Sequence, residues 1–130
     1  MSGNADIVRQ IQEALGRGDI MAPMAHLSKD VRWAVNTADR SAAPWFGEFR
    51  GRQGVAAFFE AMSVVTMKNF ETQAVIEDGD LVVVLLHMGF TSPKQREVDM
   101  DEVQVWRFHE GKVQSVELYP DTLAVAAAFA

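Results

Sequence analysis

The chain has 130 residues, 48% hydrophobic and 23% charged, with no polar low-complexity tract, which suits one ordered domain spanning 1–130 and excludes a second core. Eighteen acidic residues against twelve Lys and Arg give a net charge of -6, so neither nucleic acid nor an anionic membrane is expected as a partner. The lack of Cys excludes disulfides and thiolate metal sites, and the start MSGNADIVRQ has no secretory pattern, so the cytoplasm is the expected compartment.

Ile7, Ile11, Ala14 and Leu15 recur at helical spacing from Asp6 to Leu15, and Gly16 and Gly18 supply the stop. Asp19 can cap a second, shorter helical segment that runs through Pro23 to His26. Val31, Trp33 and Val35 then alternate with Arg32 and Ala34, a strand period that turns Trp33 inward. Residues 36–50 contain Pro44 and Gly47 but also Trp45, Phe46 and Phe49, too aromatic for a solvated loop, and predict a flap over an apolar space. After Gly51, the set Val55, Phe58, Phe59, Met62 and Val65 forms the broad stripe of a helix that covers a sheet.

The remainder reads as a four-strand antiparallel meander: Asn69 to Glu77, Leu81 to Thr91, Glu97 to His109 and Lys112 to Tyr119. Its turns fall at Asp78-Gly79, around Pro93 and at Glu110-Gly111. Asp121 and Thr122 can cap a last helix, LAVAAAFA. The run LVVVLLHMGF is apolar at nearly every position, the pattern of a strand covered on both faces. A helix covers one face, and a second copy of the chain across a two-fold axis is the simplest cover for the other, so a homodimer through the outer sheet face is expected.

The order helix, helix, strand, long helix and meander resembles the nuclear transport factor 2-like superfamily, of SnoaL-like and ketosteroid isomerase-like type. ALGRGDI, DVRWAV, EFRGRQGVAAFFEAM, EDGD and VWRFHEGKVQSVELYPDT carry the likeness over nearly the whole chain. The resemblance implies an α+β, cystatin-like cone: long helices packed on a curved, mostly antiparallel sheet that encloses an apolar pocket. It leaves function open, because such folds serve isomerases, polyketide cyclases, epoxide hydrolases, dehydratases and binding modules.

The register that the resemblance implies puts Leu86, Met88 and Phe90 on one sheet face with Met100, Glu102, Gln104 and Trp106. Val116 and Leu118 join them from the last strand, Trp33 and Val35 from the first, and Phe59 and Met62 from the helix. These residues are expected to bind a small hydrophobic molecule. In steroid isomerases of this type, a Tyr, a carboxylic acid and an Asp do the chemistry; the corresponding places hold Ile11, Gln104 and Val35, and Val35 cannot move a proton. The Arg and two Asp of the epoxide hydrolases correspond to Leu86, Met88 and Leu118, so that set is missing as well.

Glu102 is the first catalytic candidate, since an apolar pocket raises a carboxyl pKa toward neutrality, where it serves as acid or base. Its bland alternative is an ordinary strand carboxylate facing solvent. Asp121 is the second candidate, as the carboxylate that follows the last strand in SnoaL-like cyclases, with helix capping as its alternative. His26, His87 and His109 have no ligand spacing, so no metal is expected. In this register His87 faces away from the pocket, and a one-residue slip would turn it inward beside Asp101. Among the tryptophans, Trp33 reads as pocket wall, Trp106 as core, and Trp45 as a lid or a dimer contact. The function expected is that of a hydrophobic-ligand pocket protein, an isomerase-, cyclase- or dehydratase-like enzyme with one carboxylate as proton shuttle and no cofactor. A non-catalytic ligand-binding or dimerisation module is the alternative.

Overall fold

In a computed structural model, which describes residues 3–130, the second half of the chain follows its period-two pattern closely. Along β5 (Glu97–His109) buried and exposed side chains alternate almost without a break. β5 pairs antiparallel with β4 (Leu81–Thr91) in one uninterrupted register, Leu81 opposite Arg107 through Thr91 opposite Glu97. That register sets Leu86 beside Glu102 and Met88 beside Met100 on the inner face. β6 (Lys112–Tyr119) continues the meander, its turn formed by Glu110 and Gly111 at φ 50° and 78°. Two successive positive φ values suit the right-handed twist of a tight hairpin.

Three strands depart from the sequence expectation. β1 spans Leu27–Val35, longer than expected, and lies parallel to β6, the one parallel pair in a sheet that is otherwise antiparallel among the described residues. A short β2 (Glu48–Arg50), which the sequence reading left inside the flap, pairs antiparallel with β1. The result is a six-stranded mixed sheet in the order β2-β1-β6-β5-β4-β3. β3 runs from Thr66 to Asp78, three residues earlier than expected, with register shifts between Met67 and Asn69 and between Thr72 and Ala74. Each shift inserts an extra residue that bends the strand and breaks its alternation.

Three helices pack on this sheet. α1 (Asn4–Gly16) buries Val8, Ile11, Gln12 and Ala14, and α2 (Gly51–Met62) buries Val55 and Phe58. α2 stops before Val65, which the periodicity had included. The second helical segment is a single 3-10 turn, Ala22–His26, with Asp19 Oδ1 accepting the Ala22 N–H at 3.2 Å. α3 (Thr122–Phe129) closes the described chain. Trp33 anchors the core, its ring centroid 5.5 Å from Phe58, 5.5 Å from Phe59 and 5.6 Å from Trp106. Among the described residues no helix is long and apolar enough to cross a membrane.

Candidate active site

Between the inner sheet face, the end of α1, α2 and the flap lies a cavity of about 620 Å³, within the usual range for sites that take a small organic molecule. Met88 and Phe90 of β4, Met100, Glu102 and Gln104 of β5, and Leu118 of β6 form its floor. Trp33 and Val35 line it from β1, and Phe58, Phe59 and Met62 from α2. The end of α1 and the first stretch of β3, Met67 to Phe70, form the rim. Four consecutive β3 residues reach the cavity because the irregularity at Lys68 interrupts alternation.

Three residues expected in the lining belong elsewhere. Leu86, Trp106 and Val116 lie on the inner face and are fully buried, but they sit in the packed core and not on the cavity wall, which for Trp106 agrees with its reading as core among the tryptophans. Sheet parity fixes which face a side chain occupies, whereas its distance from the open end depends on how the helices lie across the sheet. Trp45 takes the place of a lid in this fold. It is 4% exposed, lines the cavity, and packs edge-on against Phe90 at 5.7 Å and Phe129 at 5.3 Å. The flap is therefore tied down from both β4 and α3.

Among the described residues Glu102 is the one carboxylate on the wall, and it is 6% exposed. Its Oε2 accepts a hydrogen bond from Gln104 Nε2 at 2.8 Å. Gln104 Oε1 in turn accepts from Gln12 Nε2 at 2.8 Å and from Trp106 Nε1 at 3.0 Å. Burial pushes the Glu102 pKa from an ordinary 4.5 up to about 7, and the bond donated by Gln104 pulls the other way by favouring the charged form. Glu102 Oε1 enters no hydrogen bond among the described residues. A carboxyl group so placed can release or accept a proton near neutral pH.

The other candidates lie apart from this centre. Asp121 is exposed, stands off the cavity wall, and caps α3 by accepting the Ala124 N–H at 3.0 Å. His87 faces outward, as the continuous β4–β5 register requires. Its Nδ1 lies 2.8 Å from Asp101 and its Nε2 2.7 Å from Asp99. Hydrogen bonds first to Asp101 and then to Asp99 raise the His87 pKa above its ordinary 6.5. No group of three or more His, Cys, Asp or Glu among the described residues could hold a metal ion.

Gln12 was missed by the sequence reading, which looked to Ile11 on the same helix. Its signal was nevertheless present: Gln12 stands four residues after Val8 and three before Leu15, on the inward stripe of α1. Among the described residues its Oε1 is buried and has no partner, and Trp33 Nε1 likewise stands unpartnered within its aromatic surroundings.

The SnoaL-like domain model matches residues 8–116. An NTF2-like protein of unknown function from Burkholderia pseudomallei is 29% identical over 99% of this chain and 98% of its own, with a TM-score of 0.87. TerC, solved with polyporic acid, is 24% identical over 98% of both chains at a TM-score of 0.86. A candidate SnoaL-like polyketide cyclase from Mesorhizobium loti is 16% identical over 91% of this chain and 99% of its own, at 0.77. No curated protein matches the chain.

Proposed function

The chain belongs to the SnoaL-like domain family, and on that premise we propose that it binds a small, largely apolar ring compound and shuttles a proton on it with Glu102. The observation that carries this reading is a single buried carboxyl, with a pKa pushed up to about 7, in a cavity walled mainly by aromatic, Met and aliphatic side chains, with Gln104 beside it and Arg17, Ser63, Lys68 and Asn69 as the other polar lining. As a neutral acid Glu102 donates to a carbonyl oxygen; as a carboxylate it takes a proton from an adjacent carbon. The proton taken from carbon goes to another carbon in an isomerisation, to the carbonyl oxygen as a C–C bond replaces its C=O π bond in a cyclisation, or to a hydroxyl that leaves as water as its C–O bond breaks in a dehydration, so no redox partner is needed. Isomerisation, aldol-type cyclisation and dehydration share this chemistry. The neighbours described as a candidate polyketide cyclase and as TerC with polyporic acid support a ring compound as ligand.

The test is proton exchange: cyclic ketones and phenolic ring compounds are incubated in D2O and followed by NMR. The parent protein is expected to catalyse exchange, and Glu102→Gln to slow it about a hundredfold or more. Equal exchange by the two proteins sinks the reading. The rival reading, a non-catalytic binding module, is favoured by the side chains of Val35, Met88 and Leu118, none able to move a proton, at places where related enzymes hold proton-active groups. It predicts binding of the same compounds by parent and Glu102→Gln alike, with no exchange by either.

We also propose that two copies pair through the outer sheet face. Leu85, Val103 and Tyr119 are neighbours across three strands and are 37%, 37% and 38% exposed. Asp99 and Asp101, both bonded to His87, flank this row on one side, and on the other Arg107 pairs with Glu117 and Arg32 with Glu48, so an apolar row is framed by polar groups as in the core and rim of an interface. A monomer in sedimentation at micromolar concentration would refute the pairing.

A further inference from the structure

We propose that Gln12 is a positioning residue: together with Trp106 it locks the amide of Gln104 in one sense and thereby fixes which oxygen of Glu102 faces the bound molecule. The inference rests on the reading of Glu102 as proton shuttle.

An amide side chain has one donating end and one accepting end, and its neighbours decide which way it points. Trp106 Nε1 can only donate, and it does so to Gln104 Oε1 at 3.0 Å. Gln12 Nε2 donates to the same oxygen at 2.8 Å. Turned about, Gln104 would set its NH2 group against the fixed N–H of Trp106, and against the NH2 of Gln12 as well unless that amide turned with it. The amide nitrogen of Gln104 therefore has to face Glu102 Oε2, to which it donates at 2.8 Å. With Oε2 committed as an acceptor, the proton of the neutral acid is carried on Oε1, the oxygen left for the cavity.

A second observation points the same way. Gln12 is 3% exposed and its Oε1 is buried without a partner. For stability alone, a side chain without polar atoms would serve the stripe of Val8, Ile11 and Leu15 better, because a buried carbonyl without a donor is destabilising. Among the described residues, the bond to Gln104 is the one polar interaction Gln12 makes. No other charge competes for Glu102. Arg17 at the end of α1 and Lys68 on β3 are the other ionisable residues along the cavity wall, and neither hydrogen-bonds to it; Lys68 pairs with Glu97 at 3.8 Å. β1, β4, β6 and α2 present Trp33, Val35, Met88, Leu118, Phe58 and Phe59 to the same space.

The chain of bonds is tested without any ligand, by NMR titration of the Glu102 side-chain carboxyl in carbon-13-labelled protein. In the parent, the side-chain N–H signals of Gln104, Gln12 and Trp106 are expected to titrate with the midpoint of Glu102. Amide and indole signals that stay flat through that midpoint overturn the proposal. Gln12→Met keeps the length of the side chain and removes the donor, and it should move the Glu102 midpoint up, with its acid dissociation constant falling about threefold. Trp106→Phe frees both amides to turn together and should lower that constant about tenfold. A folded Gln12→Met protein with the parent midpoint also overturns the proposal. Failure of Glu102→Gln to slow proton exchange would refute the shuttle and leave these titrations unchanged, so the two readings fail separately.

Discussion

Replacing Glu102 by Gln should make the protein more stable in alkali while leaving it nearly unchanged in acid. The folded chain holds the Glu102 proton with a pKa of about 7, whereas the ordinary value is 4.5. Because the folded state binds this proton more tightly than the unfolded state, the contribution is fully present below the ordinary value. It is lost as pH rises through about 7. The gap of roughly two and a half units corresponds to about 3 kcal/mol. That is a sizeable fraction of the roughly 5–15 kcal/mol that holds a domain together. Gln fills the same space, its carbonyl can accept the bond from Gln104 Nε2, and it never ionises. Urea midpoints of parent and Glu102→Gln, measured near pH 5 and about pH 9, give the comparison. The variant should gain about 3 kcal/mol over the parent at the higher pH, equivalent to about 10 °C in melting temperature for a chain of this length. Equal loss in both proteins would falsify the desolvated-acid account.

His87 titrates in the same direction, so it needs its own control. Asp101 and Asp99 raise its folded pKa above 6.5; its contribution is therefore present below that ordinary value and lost as pH rises through the raised one. His87→Gln should narrow the stability difference between about pH 6 and pH 9, and melting curves that keep the parent's difference would contradict the assignment. Trp45→Ala removes a ring 4% exposed and held between Phe90 and Phe129, and should cost about 3–5 kcal/mol by urea denaturation. A loss well under 1 kcal/mol would mean that the flap is not tied down. Asp121→Ala should cost about 1 kcal/mol through loss of the α3 cap and leave the Glu102 titration unmoved. A shifted titration would place Asp121 in electrostatic contact with the cavity.

The site was partly legible in the sequence because parity is a local property. Once Trp33, Met88 and Met100 are assigned inward, alternation carries Glu102 and Gln104 inward with them, and the continuous β4–β5 register preserves that choice over eleven pairs. Parity could not separate Leu86, Trp106 and Val116, which are core, from Met88, Gln104 and Leu118, which are wall. Nor could local spacing join Gln12 to Gln104, since that bond spans 92 positions. Lys68 reaches the rim through a strand irregularity that a strict two-residue period does not foresee.

What the sequence determined by itself was the set of elements and the sense of their faces: helix stripes, alternating strands, the Glu110-Gly111 turn and the Asp121 cap all depend on neighbours within a few positions. Only the tertiary structure decided the parallel pairing of β1 with β6, the short β2, the depth of the cavity and the line of polar side chains from Gln12 to Glu102. These depend on contacts between segments far apart in the chain, where the driving force is burial of shared surface and the completion of buried hydrogen bonds, and no periodicity encodes which distant partner supplies them.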